Sequence, residues 1–307
     1  MTQPDLNSSD FEPIEYDEAE AEKIASETTS FWKDAWRRFK QNKLALFGVV
    51  IIVLLGILSL FGGPISGYNY YSNDLINSNK PPSGEHWFGT DQLGRDIFAR
   101  NWYGAKISLF IGLSAAFLDL IIGVIWGAVA GFFGGKIDEY MMRIADILYG
   151  VPYLLVVILL MVVLPQGLWT IILAMTITGW INMARIVRGQ VMQLSNEEYV
   201  MAAQSLGAGK IRVLFRHLVP NTMGPILVTL TLTIPNAIFT EAFLSYLGLG
   251  VPAPLASWGT MSNDALPYLQ FQPYQLFFPS FFIVLTMLAF NVIGDGMRDA
   301  LDPKERS

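Results

Sequence analysis

The sequence predicts an all-α integral membrane protein with six transmembrane helices and both termini in the cytoplasm. Three observations carry that expectation. Hydrophobic residues make up 52% of the 307-residue chain and charged residues only 15%, against about 25% charged in an ordinary soluble domain. Six apolar stretches are each long enough to cross about 30 Å of hydrocarbon, which takes about 20 helical residues. Basic residues gather on one side of these stretches. Only helices and closed barrels satisfy every backbone group in lipid, and runs of this length exceed a barrel strand.

The elements follow in order. Residues 1–34 hold ten acids and two lysines. An acidic segment poor in apolar residues reads as disordered, here a cytoplasmic head over 1–30. It lacks the basic start and apolar run of a signal peptide. Residues 31–43 place Trp32, Trp36 and Phe39 at helical spacing with bases between them, the pattern of an amphipathic helix lying in the inner interface. The alternative is an extension of the first span with aromatic anchors.

The first span covers 44–61 and carries no charge, and an extracellular loop covers 62–106. Span two covers 107–133 and contains Asp119; its Gly123, Gly127 and Gly131 form two overlapping G-x-x-x-G steps, a close helix-packing face. Spans three to six cover 147–164, 168–186, 225–249 and 276–293, followed by a cytoplasmic tail over 294–307. Pro152, Pro235 and Pro279 fall in or near spans three, five and six, where each tends to kink its helix.

Orientation follows from charge. Of the 20 Lys and Arg, 16 fall on the side of the N-terminus and four, Lys80, Arg95, Arg100 and Lys106, on the other. The positive-inside rule then puts both termini in the cytoplasm.

Several chemistries are excluded. With no cysteine there are no disulfides, thiolate metal sites or cysteine nucleophiles. His86 and His217 are far apart, which disfavours a histidine metal site. Gly-Lys occurs at 135–136 and 209–210, followed by Ile each time, so no phosphate-binding loop is present. Asp119 and Glu241 are the acids within spans. Each costs about 2.5–3.5 kcal/mol at a helix centre unless paired or hydrated. A helix–helix hydrogen bond is the expectation for Asp119; Glu241 either lines a path or caps an outer loop.

Between spans four and five lies a long cytoplasmic segment, 190–221. Glu198 and Ala202 are one helical turn apart and share a face, with Ala203 beside it. Gly207 supplies a turn at the helix end. A short helix with a small-residue surface suits a groove on another protein.

This segment resembles the EAA loop of ATP-binding-cassette importer permeases. Glu198, Ala202, Ala203, Gly207 and Pro220 match its pattern in type and spacing, and His217 before Leu-Val-Pro-Asn resembles the peptide-transport branch. Residues 86–109, 241–259 and 291–303 resemble the C subunit of oligopeptide and dipeptide permeases, the OppC/DppC group, and the acidic head without cysteine resembles its Gram-positive, AmiD-like version.

The resemblance implies a type I importer permease fold and no catalysis or cofactor of the chain's own. ATP and magnesium would be bound by two partner ATPases. It implies a homologous B-type permease as heterodimer partner, an external lipid-anchored peptide-binding protein, and a bacterial plasma-membrane location without nucleic-acid binding. The coupling residues are expected to be Glu198, Tyr199, Ala202, Ala203, Leu206, Gly207, Ala208 and Pro220. The candidate path residues are Glu241, Asn236 and Asn182. A secondary transporter using Asp119 and Glu241 is the rival class, without an inverted repeat or a reason for the 198–220 segment. Dipeptide or nickel import is the alternative within the family.

Overall fold

A computed structural model describes residues 31–301; the acidic head and the last six residues lie outside it. Most of the described residues are helical, and among them the only strand-like pairing is an isolated bridge between Thr90 and Asp96. The helices are α1 (Phe31–Gln41), α2 (Lys43–Ser66), α3 (Ile97–Phe133), α4 (Gly135–Gly150), α5 (Tyr153–Val163), α6 (Leu168–Leu194), α7 (Glu198–Ser205), α8 (Met223–Leu244), α9 (Trp258–Ala265) and α10 (Tyr274–Leu301). Among the described residues α2, α3, α6, α8 with its following π-turn, and α10 are long and apolar enough to cross a membrane.

The third span differs from expectation. Instead of one helix over 147–164, the chain runs along α4, turns at Val151–Pro152 and continues as α5, with 83° between the two. Proline at 152 has no amide hydrogen to continue the ladder of α4, and its ring disfavours helical geometry in Val151. Val151 accordingly takes extended angles, φ −81° and ψ 129°.

A break also separates α1 from α2. Asn42 leaves the helical region, with φ −78° and ψ 95°, and its side chain accepts a hydrogen bond from the Ala45 amide at 3.0 Å. This N-cap starts α2 afresh. On α1, Trp32 and Trp36 are exposed, while Phe39 is buried with Ala45 and Ala300. The N-terminal helix is thereby pinned to the end of α10.

Helix α3 begins ten residues before the apolar stretch, and the charges of its cap and first turn, Asp96 and Arg100, are paired. Asp96 caps it through the Ala99 amide at 2.7 Å and meets His86 Nδ1 at 2.9 Å. Arg100 donates to the Tyr70 carbonyl at 3.1 Å and sits 3.5 Å from Asp91 and 3.7 Å from Asp264. Burial raises the Asp264 carboxyl above the usual range, and Arg100 and Arg95 offset part of that. This knot fixes the 67–96 loop and α9 over one end of the bundle.

The tightest pairing is α3 against α6. A Cβ at Gly123 would lie 2.6 Å from the Met183 Cβ, and one at Gly131 would lie 2.7 Å from the Arg188 carbonyl oxygen. Gly127 faces the Ala184 carbonyl still more closely. The three glycines thus form one track, four residues apart, on which the α6 backbone rests. Large apolar side chains on α2, α5 and α10 point outward, including Leu54, Val162, Val163 and Leu288. In water such a surface would be costly; in lipid it is solvated.

Candidate functional sites at the short helix and the broken span

The first site is α7 and the turn after it. The helix ends in a Schellman motif: the Ala208 amide donates to the Ala203 carbonyl at 3.0 Å, and the Gly207 amide to the Gln204 carbonyl at 2.9 Å. Gly207 takes φ +85°, the left-handed geometry that this closure requires. One side chain anchors the helix. Val200 is fully buried against Val213, Leu214 and Leu218 of the helical segment 210–221, a contact that contributes about 1.5–3 kcal/mol. The Asn221 amide, which also donates to the His217 carbonyl at 2.8 Å, reaches the Tyr199 hydroxyl at 3.3 Å and ties the two ends of the segment together.

Most of the rest of α7 faces outward. Glu198, Tyr199, Met201, Ala202 and Gly207 are exposed, and Leu206 is 90% exposed. Ala203 is half-buried, and Ala208 turns inward onto the cluster around Val200. Pro220 lies on the following segment, also exposed. Leu206 is thus an exposed apolar side chain at the tip of an anchored helix.

The second site is a cavity of about 580 Å³ at the bend of the third span. Tyr149 to Tyr153 form one wall, Met175 to Asn182 of α6 another, and Thr233 to Thr240 of α8 a third, and Asp119 of α3 completes the lining. Asn182 and Asn236, expected along a path, both line it. Backbone that leaves the helix at membrane depth is tolerated where it borders a cavity of this kind.

Glu241, expected either along a path or as the cap of an outer loop, does not line this cavity. It is 0% exposed. Its Oε2 accepts from Ser108 Oγ at 2.8 Å and its Oε1 from Ser245 Oγ at 2.8 Å. Ser108 Oγ in turn accepts from the Trp258 amide at 3.1 Å. The carboxylate knits α3, α8 and α9 into a closed polar cluster. Nothing in the sequence links Ser108 to Glu241 across 133 residues.

The expectation for Asp119 is corrected. In place of a helix–helix hydrogen bond, its Oδ1 is buried with no partner among the described residues. Tyr153 and Gly179 were not singled out by sequence; the proline at 152 was the available signal for the former.

Residues 123–307 match the family described as binding-protein-dependent transport system inner membrane component. Residues 30–82 match the N-terminal TM domain of oligopeptide transport permease C. The chain belongs to the binding-protein-dependent permease family. This permease is 66% identical to the oligopeptide transport system permease protein OppC of Bacillus subtilis (strain 168), over 96% of its own length and 97% of that protein. It is 57% identical to the dipeptide transport system permease protein DppC of the same organism, over 94% and 90% of the two chains. It is 40% identical to the oligopeptide permease OppC of Escherichia coli (strain K12), over 93% and 95%. In fold the permease is similar to the inward-facing MetNI methionine ABC transporter, with a TM-score of 0.55 and 16% identity over 65% of this chain and 94% of that one. It is a type I ABC importer permease of the bacterial plasma membrane.

Proposed function

We propose that this permease forms one half of the path by which an oligopeptide enters the cell, with α7 as its link to an ATPase. The observation that carries the reading is the mounting of α7. A helix held by Val200 and closed by Gly207 presents Glu198, Ala202 and Leu206 to solvent, at the positions that match the coupling loop of importer permeases. The carboxyl end of α10, the N-terminal helix and Pro220 border one further cavity. They therefore share one end of the bundle, which the basic residues mark as cytoplasmic.

The partner set follows from this reading. A homologous B-type permease supplies the other half of the path, and two ATPases bind ATP and magnesium beneath. An external lipid-anchored protein delivers the peptide. The higher identity is to the oligopeptide relative rather than the dipeptide one, which favours the longer substrate. Reversing a gate from 1:99 to 99:1 takes about 5.5 kcal/mol of differential binding. In this scheme the ATPase pair supplies it through α7 and its counterpart.

The test is reconstitution in liposomes with the ATPases and the binding protein, with and without the second permease. Uptake of a labelled peptide is expected only with both permeases. Equal uptake without the second would sink the heterodimer.

A further inference from the structure

The cavity at the bend of the third span holds one carboxylate and, among the described residues, no cation to match it. Asp119 lies near the middle of α3 and is 5% exposed. Among the described residues its Oδ1 has no hydrogen-bond partner, and neither does the hydroxyl of Tyr153, the first residue of α5. Gly179 of α6 stands against the carboxylate: a Cβ there would lie 2.7 Å from both Cγ and Oδ1 of Asp119. Glycine at 179 therefore leaves the niche that the carboxylate occupies. The remaining polar lining, Tyr149, Thr178, Asn182, Thr233, Asn236 and Thr240, is uncharged.

A buried acid at membrane depth without a partner is a standing cost, and such residues mark substrate or ion pathways. Broken helices likewise mark the place where transporters hold their substrate near the membrane centre. Peptides of differing sequence share few groups that one site can recognise: main-chain amides, a terminal carboxylate and a terminal ammonium. Uncharged Asn and Thr side chains suit the amides. A lone carboxylate suits the ammonium, through a charge-assisted hydrogen bond.

We propose that Asp119 receives the α-ammonium group of a peptide in transit through the cavity, with the Tyr153 hydroxyl beside it. The assignment rests on the reading of this chain as a peptide permease. It adds a recognition point within the membrane to whatever selection occurs outside it. Asp119 then favours peptides with a free amino terminus over blocked ones, independently of their side chains.

The test uses the complete transporter in detergent without the external binding protein, so that selection during delivery does not enter. The chain has no cysteine of its own. A reporter cysteine at Thr240, on the cavity wall, is alkylated by a small maleimide, and its rate is read by mass spectrometry. Trialanine is compared with N-acetyl-trialanine, in which an acetyl amide replaces the charged amino terminus. Trialanine is expected to slow alkylation about tenfold at a concentration where the acetylated peptide has little effect. Asp119→Asn should make the two peptides alike, and Asp119→Glu should keep them apart.

If Asp119→Asn does not assemble, Gly179→Ala replaces it, because the added methyl displaces the carboxylate and should erase the same discrimination. Equal protection by the two peptides with Asp119 intact would overturn the proposal, as would discrimination that survives Asp119→Asn. Release of the second permease on Asp119→Asn, with the peptides undistinguished in the unaltered complex, would assign the carboxylate to subunit pairing instead. No protection by either peptide would tell against peptide passage itself, a separate failure.

Discussion

Glu241 Oε2 and Ser108 Oγ are hydrogen-bonded at 2.8 Å, joining α8 to α3 across 133 residues of sequence. With Ser245 on the other carboxylate oxygen, the pair leaves no lining face on Glu241. Glu241→Ala is expected to destabilise the permease by about 3 kcal/mol, because two buried hydroxyls lose their acceptor and a cavity opens. Glu241→Gln, which keeps one acceptor and the volume, should cost clearly less. Thermal unfolding of the purified transporter checks both; a wild-type midpoint for Glu241→Ala would remove the cluster from the account of stability.

At the other end, Gly207→Asp and Glu198→Lys are expected to abolish ATP-driven uptake while leaving the protein inserted and assembled. A side chain at φ +85° costs about 1–2 kcal/mol, too little to unfold the bundle. Glu198 is exposed and makes no ion pair or side-chain hydrogen bond among the described residues. Peptide uptake and complex recovery are measured together. Wild-type uptake by either variant would end the coupling assignment.

Glycines along the spans should divide sharply by what they face. Gly127→Ala drives a methyl into the Ala184 carbonyl, a backbone atom that cannot swing aside, and is expected to cost about 1–3 kcal/mol. A Cβ at Gly56 meets nothing within 4 Å, so Gly56→Ala should be neutral or slightly stabilising. Recovery of monodisperse protein after mild heating separates the two. Equal recovery would show that α3 and α6 do not meet along this track.

Single cysteines read the topology directly. Ile76→Cys, at a position 92% exposed in the 67–96 loop, is expected to react with an impermeant maleimide on intact cells. Lys210→Cys should react only after permeabilisation. The reverse pattern would invert the whole arrangement.

Much of this architecture was legible because hydrocarbon imposes a simple code: long uncharged runs become helices. The code fails where charge is neutralised by distant groups. Arg100 and Lys106 read as loop residues, yet Arg100 lies inside α3 because Tyr70, Asp91 and Asp264 surround it. It fails again at Val151–Pro152, where hydropathy continues but the backbone turns through 83°. The short helix was legible down to its glycine, since a Schellman closure is a local event. Whether Asp119 or Glu241 faced a cavity was not, because Ser108, which closes on Glu241 from α3, lies 133 residues away in the chain. For Asp119, the deciding neighbour is an absent methyl at Gly179.

The unbroken α3 has a mechanical consequence. Its 37 residues extend about 55 Å at ~1.5 Å per residue, from the charged knot around Asp91 to the contact of Gly131 with Arg188. It is a strut without a joint, set beside an elbow formed by α4 and α5. An unbroken ladder of helical hydrogen bonds holds the two ends of the strut in one fixed relation, whereas that ladder is interrupted at the elbow by Pro152. The cavity sits where the third span changes direction.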